Sequence, residues 1–106
     1  MAYISRKIMY TPESFEIFGQ TITVKYSNCI RKLGAVGLYE HDSKVITVAT
    51  HDIDDKPHDE DFMSATLYHE IIHVLLSYTG QYELNMNEQM VELMGQCLYQ
   101  VLKTMK

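Results

Sequence analysis

The sequence predicts an α+β fold, with strands in the N-terminal half and helices in the C-terminal half. Three observations lead there. Residues 14–27, SFEIFGQTITVKYS, alternate apolar and polar side chains around Gly19, the period of a half-buried strand. Residues 35–50, AVGLYEHDSKVITVAT, place two β-prone runs on either side of His41, Asp42 and Ser43, residue types suited to a turn. From Asp61 onward the apolar residues recur at helical spacing instead.

Taken in order, the first stretch is read as strand, with Ile22 and Val24 on one face. The second is read as a hairpin whose second strand is Val45 to Ala49. Residues 51–62, HDIDDKPHDEDF, contain Pro57 and show no period, so they form a loop. Helix follows from about Asp61 to Thr79, and Gly80 stands where a C-cap is expected. Residues 81–85, QYELN, are long enough only for a connection. A last helix begins near Asn85 or Asn87 and buries Val91, Met94, Leu98, Val101 and Met105. A short connection makes the two helices antiparallel neighbours.

A chain of 106 residues with 46% hydrophobic residues and no tryptophan suffices for one domain, residues 1–106, with a thin core. The seven methionines are read as filler of that core. No apolar run approaches a membrane span, and the first residues lack the apolar centre of a secretory signal. The expectation is a soluble, cytoplasmic protein without membrane partners. Cys29 and Cys97 are far apart and have no paired-ligand spacing, so they are read as reduced thiols. The net charge of −5, with acid concentrated in residues 51–62, leaves no basic stripe for a nucleic-acid backbone. His51, Asp52, Asp54, Asp55 and His58 fall in that loop and are read as solvated rather than as a second metal site.

Chemistry concentrates in Tyr68-His69-Glu70-Ile71-Ile72-His73. Four residues apart on a helix, His69 and His73 present both rings on one face, one turn above the other. Two imidazoles so placed suit one tetrahedral ion, and Glu70, turned about 100° away, is free to act on a water at the ion's open side. The flanking Ile71, Ile72, Val74, Leu75 and Leu76 make this a mostly buried helix, where polar groups need partners. No histidine follows His73, so the acids of the next segment, Glu83, Glu88 and Glu92, are the candidates for a third ligand. Glu88 and Glu92 share a helical face, and Gly95 on their stripe would allow close approach to a neighbouring backbone. Asn85-Met86-Asn87-Glu88 also fits a capping box.

HEIIH followed by NEQMVE resembles the gluzincin pattern of zinc metallopeptidases, in which a glutamate on the following helix completes the metal site. A closer likeness is to small zincin-like proteins encoded in phages and prophages, which share the order strand, hairpin, HExxH helix, glutamate helix. The resemblance implies a zincin-like fold: a small antiparallel or mixed sheet, then the active-site helix, then the glutamate helix. It implies Zn2+ held by His69, His73 and Glu88, with Glu92 in the place of the acid that orients a ligating histidine. The gap from His73 to Glu88 is shorter than in thermolysin-like enzymes, and Glu92 replaces their aspartate, so a register with Glu92 as ligand stays open.

The activity so implied is hydrolysis of a peptide or protein substrate. Glu70 would take a proton from the attacking water and hand it to the leaving amine. The strand Val45–Ala49 would be the edge that pairs with an extended substrate. No oxyanion donor is assigned to Tyr78, Tyr82 or Tyr99. A non-catalytic zinc-binding interaction protein, its metal joining two helices, is the alternative. Oligomeric state is not legible in the residues.

Overall fold

The computed structural model describes residues 12–28, 30 and 34–106. Strands β1 (Ser14–Ile17) and β2 (Gln20–Ser27) form an antiparallel hairpin. Phe18 and Gly19 at its tip both have positive φ, 50° and 75°, as a two-residue turn matched to strand twist requires. Strands β3 (Gly37–Glu40) and β4 (Val45–Ala49) form the second hairpin, with Tyr39 opposite Ile46. Its turn contains His41, Asp42 and Ser43, as the sequence predicts.

The two hairpins join through a parallel pairing of β2 with β4, which gives a mixed sheet ordered β1-β2-β4-β3. This corrects the placing of Val45–Ala49 at the edge. The side chains of Ile46, Val48 and Ala49 are almost wholly buried, a load that suits an interior strand. The edges are β1 and β3, and β3 is the one beside β4; its alternation of partly exposed residues suits a strand open on one side.

Helix α1 (Glu60–Tyr78) begins at Asp59, whose carboxylate accepts the Phe62 N–H. It ends in a Schellman motif: the Gln81 N–H reaches the Leu76 carbonyl, and Gly80 takes φ 73°. This helix is buried on two sides. Leu67 and Val74 pack with Ile22, Val24, Ile46 and Val48 of the sheet. Ile72 and Leu76 pack with Val91 of the last helix, flanked by Met94 and Leu98.

Residues 82–85 form a helical turn, α2 (Tyr82–Asn85), rather than a plain connection. The last helix, α3 (Glu88–Thr104), is capped by Asn87, whose side chain accepts the Met90 N–H. Glu88 is therefore the first helical residue, and no capping box from Asn85 forms. Val101 and Met105 are 47% and 54% exposed, outside the core expected for them, while Gly95 and Tyr99 are buried in their place. Helices α1 and α3 run antiparallel: the start of α1 meets the end of α3 where Tyr99 and Lys103 donate to Asp61. The architecture is α+β, with three layers in which α1 lies between the sheet and α3. Among the described residues, no helix is long and apolar enough to cross a membrane.

Candidate metal centre

Helix α1 carries His69 and His73 on one face, their ring centroids 5.0 Å apart. Both rings turn Nε2 toward the start of α3. There the Glu88 carboxylate spans them, Oε1 2.8 Å from His73 Nε2 and Oε2 3.1 Å from His69 Nε2. One ligand atom from each of His69, His73 and Glu88 falls within 4.8 Å of the others, close enough to hold one metal ion. Among the described residues this is the group of metal-ligating side chains that comes together.

The outer nitrogens are also occupied. Nδ1 of His69 lies 2.7 Å from Glu92 Oε1, and Nδ1 of His73 lies 2.6 Å from Asn85 Oδ1. Carboxylate and amide oxygens accept, so each Nδ1 is placed to donate outward, an arrangement that would leave each Nε2 lone pair for a cation when one is bound. Glu92 is steadied in turn by Gln96, whose side-chain amide donates to its Oε2 at 2.9 Å. The geometry separates the two acids. Glu88 reaches both Nε2 atoms, and Glu92 reaches Nδ1 of one ring.

Gly95 explains how α3 comes so near. A β-carbon there would lie 2.9 Å from both Cα and N of His69, closer than real contacts allow, so only glycine permits this approach.

Glu70 is only 7% exposed. Burial is the largest influence on its carboxyl and raises its pKa above the ordinary glutamate value; His73 and His69 act in the opposite direction, and Glu88 adds to the rise. The edge strand covers it. A β-carbon on Gly37 would lie 3.0 Å from Glu70 Oε2 and 2.7 Å from Thr66 Cγ2. In front of these residues opens a cavity of about 740 Å³, lined by His69, His73, Glu70 and Glu88 and bounded by Val36 to Tyr39 of the edge. Glu88, at 65% side-chain exposure, leaves the group accessible from solvent.

The remaining candidates sit elsewhere. Glu83 is exposed and does not line the cavity. Tyr99 is bound to Asp61, Tyr82 is exposed, and Tyr78 packs against His41 and Phe18. None of the three phenols lines the cavity, whereas Tyr39 and His41 do. In the acidic loop, Asp52 Oδ1 accepts the N–H groups of Asp54 and Lys56. Those bonds, the one to Lys56 foremost, hold its carboxyl below the usual range. Its oxygen is thus engaged in shaping its own loop.

Sequence reasoning missed Asn85 as the partner of His73 and Gly37 as the cover over Glu70. Asn85 reads locally as a helix cap, and Gly37 as a weak strand residue. Neither position carries a periodic signal linking it to the histidines. Set against protein-family models, curated proteins and solved structures, the chain matches none.

Proposed function

We propose that the chain is a small zinc-dependent metallopeptidase of gluzincin type and zincin-like fold, with His69, His73 and Glu88 as ligands and Glu70 as general base. The observation that carries this reading is the convergence of both Nε2 atoms on Glu88 while each Nδ1 has its own oxygen partner. Two imidazoles and a carboxylate with oriented outer nitrogens form a donor set suited to zinc, and leave a fourth position open. Zinc in this group would supply Lewis acidity toward a carbonyl oxygen and toward water.

The chain's own residues perform the proton work. Glu70 takes a proton from water as the new carbon–oxygen bond forms, and returns it to the amine nitrogen as the carbon–nitrogen bond breaks. Its burial suits the role, since a carboxylate stripped of water holds a proton more readily near neutral pH. The open edge of β3, along one wall of the cavity, offers backbone groups to an extended peptide. That role passes from Val45–Ala49 to Gly37–Glu40.

The test is cleavage of an unstructured protein by the zinc-loaded chain and by Glu70→Gln. The expected result is zinc retained in the variant, with hydrolysis reduced by about 10²-fold or more. Equal cleavage by both would overturn the reading. A second reading draws on ligands that come from two helices: the ion would clamp α1 to α3 as a structural element of an interaction protein. A parent chain that is stabilised by zinc and cleaves nothing selects it.

A further inference from the structure

We infer that the cleft selects its peptide with two unlike ends. Beyond His73, His41 donates a hydrogen bond to a carbonyl oxygen of the peptide. Before His69, Val36, Phe62 and Ala65 seat an apolar side chain. This rests on the peptidase reading for its ligand, an extended peptide, and not on turnover. Strand β3 and helix α1 border the cleft and run in the same direction: Gly37 abuts Thr66 and Glu70, and His41 abuts Ser77 and Tyr78. The wall residues therefore sort along one axis. Val36, Phe62 and Ala65 line the end before His69, and Tyr39, His41 and Ser77 the end after His73.

His41 is exposed, yet three neighbours hold its ring. Tyr39 Oη lies 2.9 Å and Ser77 Oγ 3.3 Å from its Nδ1, and its ring centroid is 5.2 Å from that of Tyr78. A merely solvated histidine needs no such setting. Burial, with Tyr78 adding to it, pushes the Tyr39 phenol up to about 12, so the hydroxyl keeps its proton at neutral pH. It is placed to donate to Nδ1, an arrangement that leaves Nε2 as a donor for an oxygen of the ligand.

The other end has the opposite character. Val36 and Phe62 are 47% and 42% exposed, and Phe62 is steadied by stacking on His58, ring centroids 4.2 Å apart. Apolar side chains left open on a cavity wall favour an apolar group that covers them. Ser77 lies about one helical turn beyond His73, and Phe62 about two turns before His69, roughly 5 and 11 Å along the axis. An extended peptide advances about 3.3 Å per residue. The His41 contact therefore falls about two residues to one side of the bond placed over the histidines, and the apolar seat about three to the other.

Calorimetric binding to the zinc-loaded Glu70→Gln chain tests this without cleavage. The probes are two alanine octapeptides blocked at both termini, one with leucine third from the N-terminus and one with leucine third from the C-terminus. Only one of them can fill the seat and still reach His41, so one is expected to bind about 10-fold more tightly. Phe62→Ser should erase that difference. His41→Ala should weaken the tighter probe about 10-fold, and His41→Gln, which keeps a donor, should restore most of the loss. Tyr39→Phe should weaken binding when His41 is present and have no effect in the His41→Ala chain. No binding by either probe, equal affinities for the two, or His41→Ala binding as tightly as the Glu70→Gln reference would each overturn the inference. Probes bound with this asymmetry but left intact by the parent chain would remove the peptidase reading and leave the inference standing.

Discussion

Gly95 of α3 rests on the backbone of His69 in α1, so close that a β-carbon at position 95 would lie 2.9 Å from both the Cα and the N of that histidine. The contact sets the separation of the two helices at the turn that carries His69. It also brings Glu92 to Nδ1 of His69 and Glu88 to both Nε2 atoms. Substitution of one hydrogen at Gly95 therefore bears on the whole group.

Gly95→Ala is expected to destabilise the fold by about 1–3 kcal/mol through overpacking. The gain in helix propensity, at most about 1 kcal/mol, is too small to offset it, because the obstructing atoms are backbone. Zinc affinity should fall in parallel as α3 moves away from α1. Urea unfolding with and without zinc measures both effects.

Glu88→Ala should abolish stoichiometric zinc binding, since it removes the group spanning both Nε2 atoms. Glu92→Ala and Asn85→Ala should instead weaken binding about 10–100-fold, because each loses only an oxygen that orients a histidine. Calorimetric titration with zinc distinguishes the two classes. Stoichiometric binding retained by Glu88→Ala and lost in Glu92→Ala would assign the ligand to Glu92.

Zinc at about 1,000 times its dissociation constant should stabilise the chain by about 4 kcal/mol, provided that it binds the folded form alone. A chelator should reverse the shift. Thermal unfolding at several zinc concentrations reads this directly, and a midpoint independent of zinc would remove the metal centre.

Gly37→Ala should leave zinc content unchanged and lower peptide hydrolysis about 100-fold, the cost of a misplaced general base. The added methyl meets Thr66 Cγ2 and the Glu70 carboxylate. Thr66 is held by its hydroxyl, which donates to the Phe62 carbonyl at 2.9 Å, so the Glu70 side chain is the part that yields. Zinc content and turnover measured on one preparation separate this outcome from unfolding.

Asp61 joins the start of α1 to the end of α3. The Tyr99 hydroxyl, and then the Lys103 ammonium, hold its carboxyl below the ordinary aspartate range. A depressed folded-state value means that the unfolded chain binds more protons. The stabilisation is complete above the ordinary carboxylate value and is lost as pH falls through the depressed one. Asp61→Asn should therefore unfold more readily than the parent at neutral pH, with the difference narrowing in acid. Denaturant midpoints across that range check the sign; a gap that widens in acid contradicts it.

How much of this was written in the residues varies with distance along the chain. The helical spacing after residue 60 places α1 and α3 closely, and the alternation in residues 14–27 marks extended chain but not the Phe18–Gly19 turn that divides it into β1 and β2, because side-chain period is a local property. Gly80 as a helix stop and Asn87 as one of two helix starts are legible for the same reason. The HEIIH spacing is local too, and it alone brings the two rings to one face of α1.

What packing decided lies between elements. The parallel joining of β2 to β4 moved Val45–Ala49 from the edge to the interior, because strand order follows from which faces must be buried. That Glu88 faces both Nε2 atoms and Glu92 faces Nδ1 of His69 follows from the height of α3 against α1, which the Gly95 contact sets. Asn85 became a histidine's partner and Gly37 the cover of a buried carboxylate. Contacts between residues remote in sequence leave no period to read; they come into being only when the layers close.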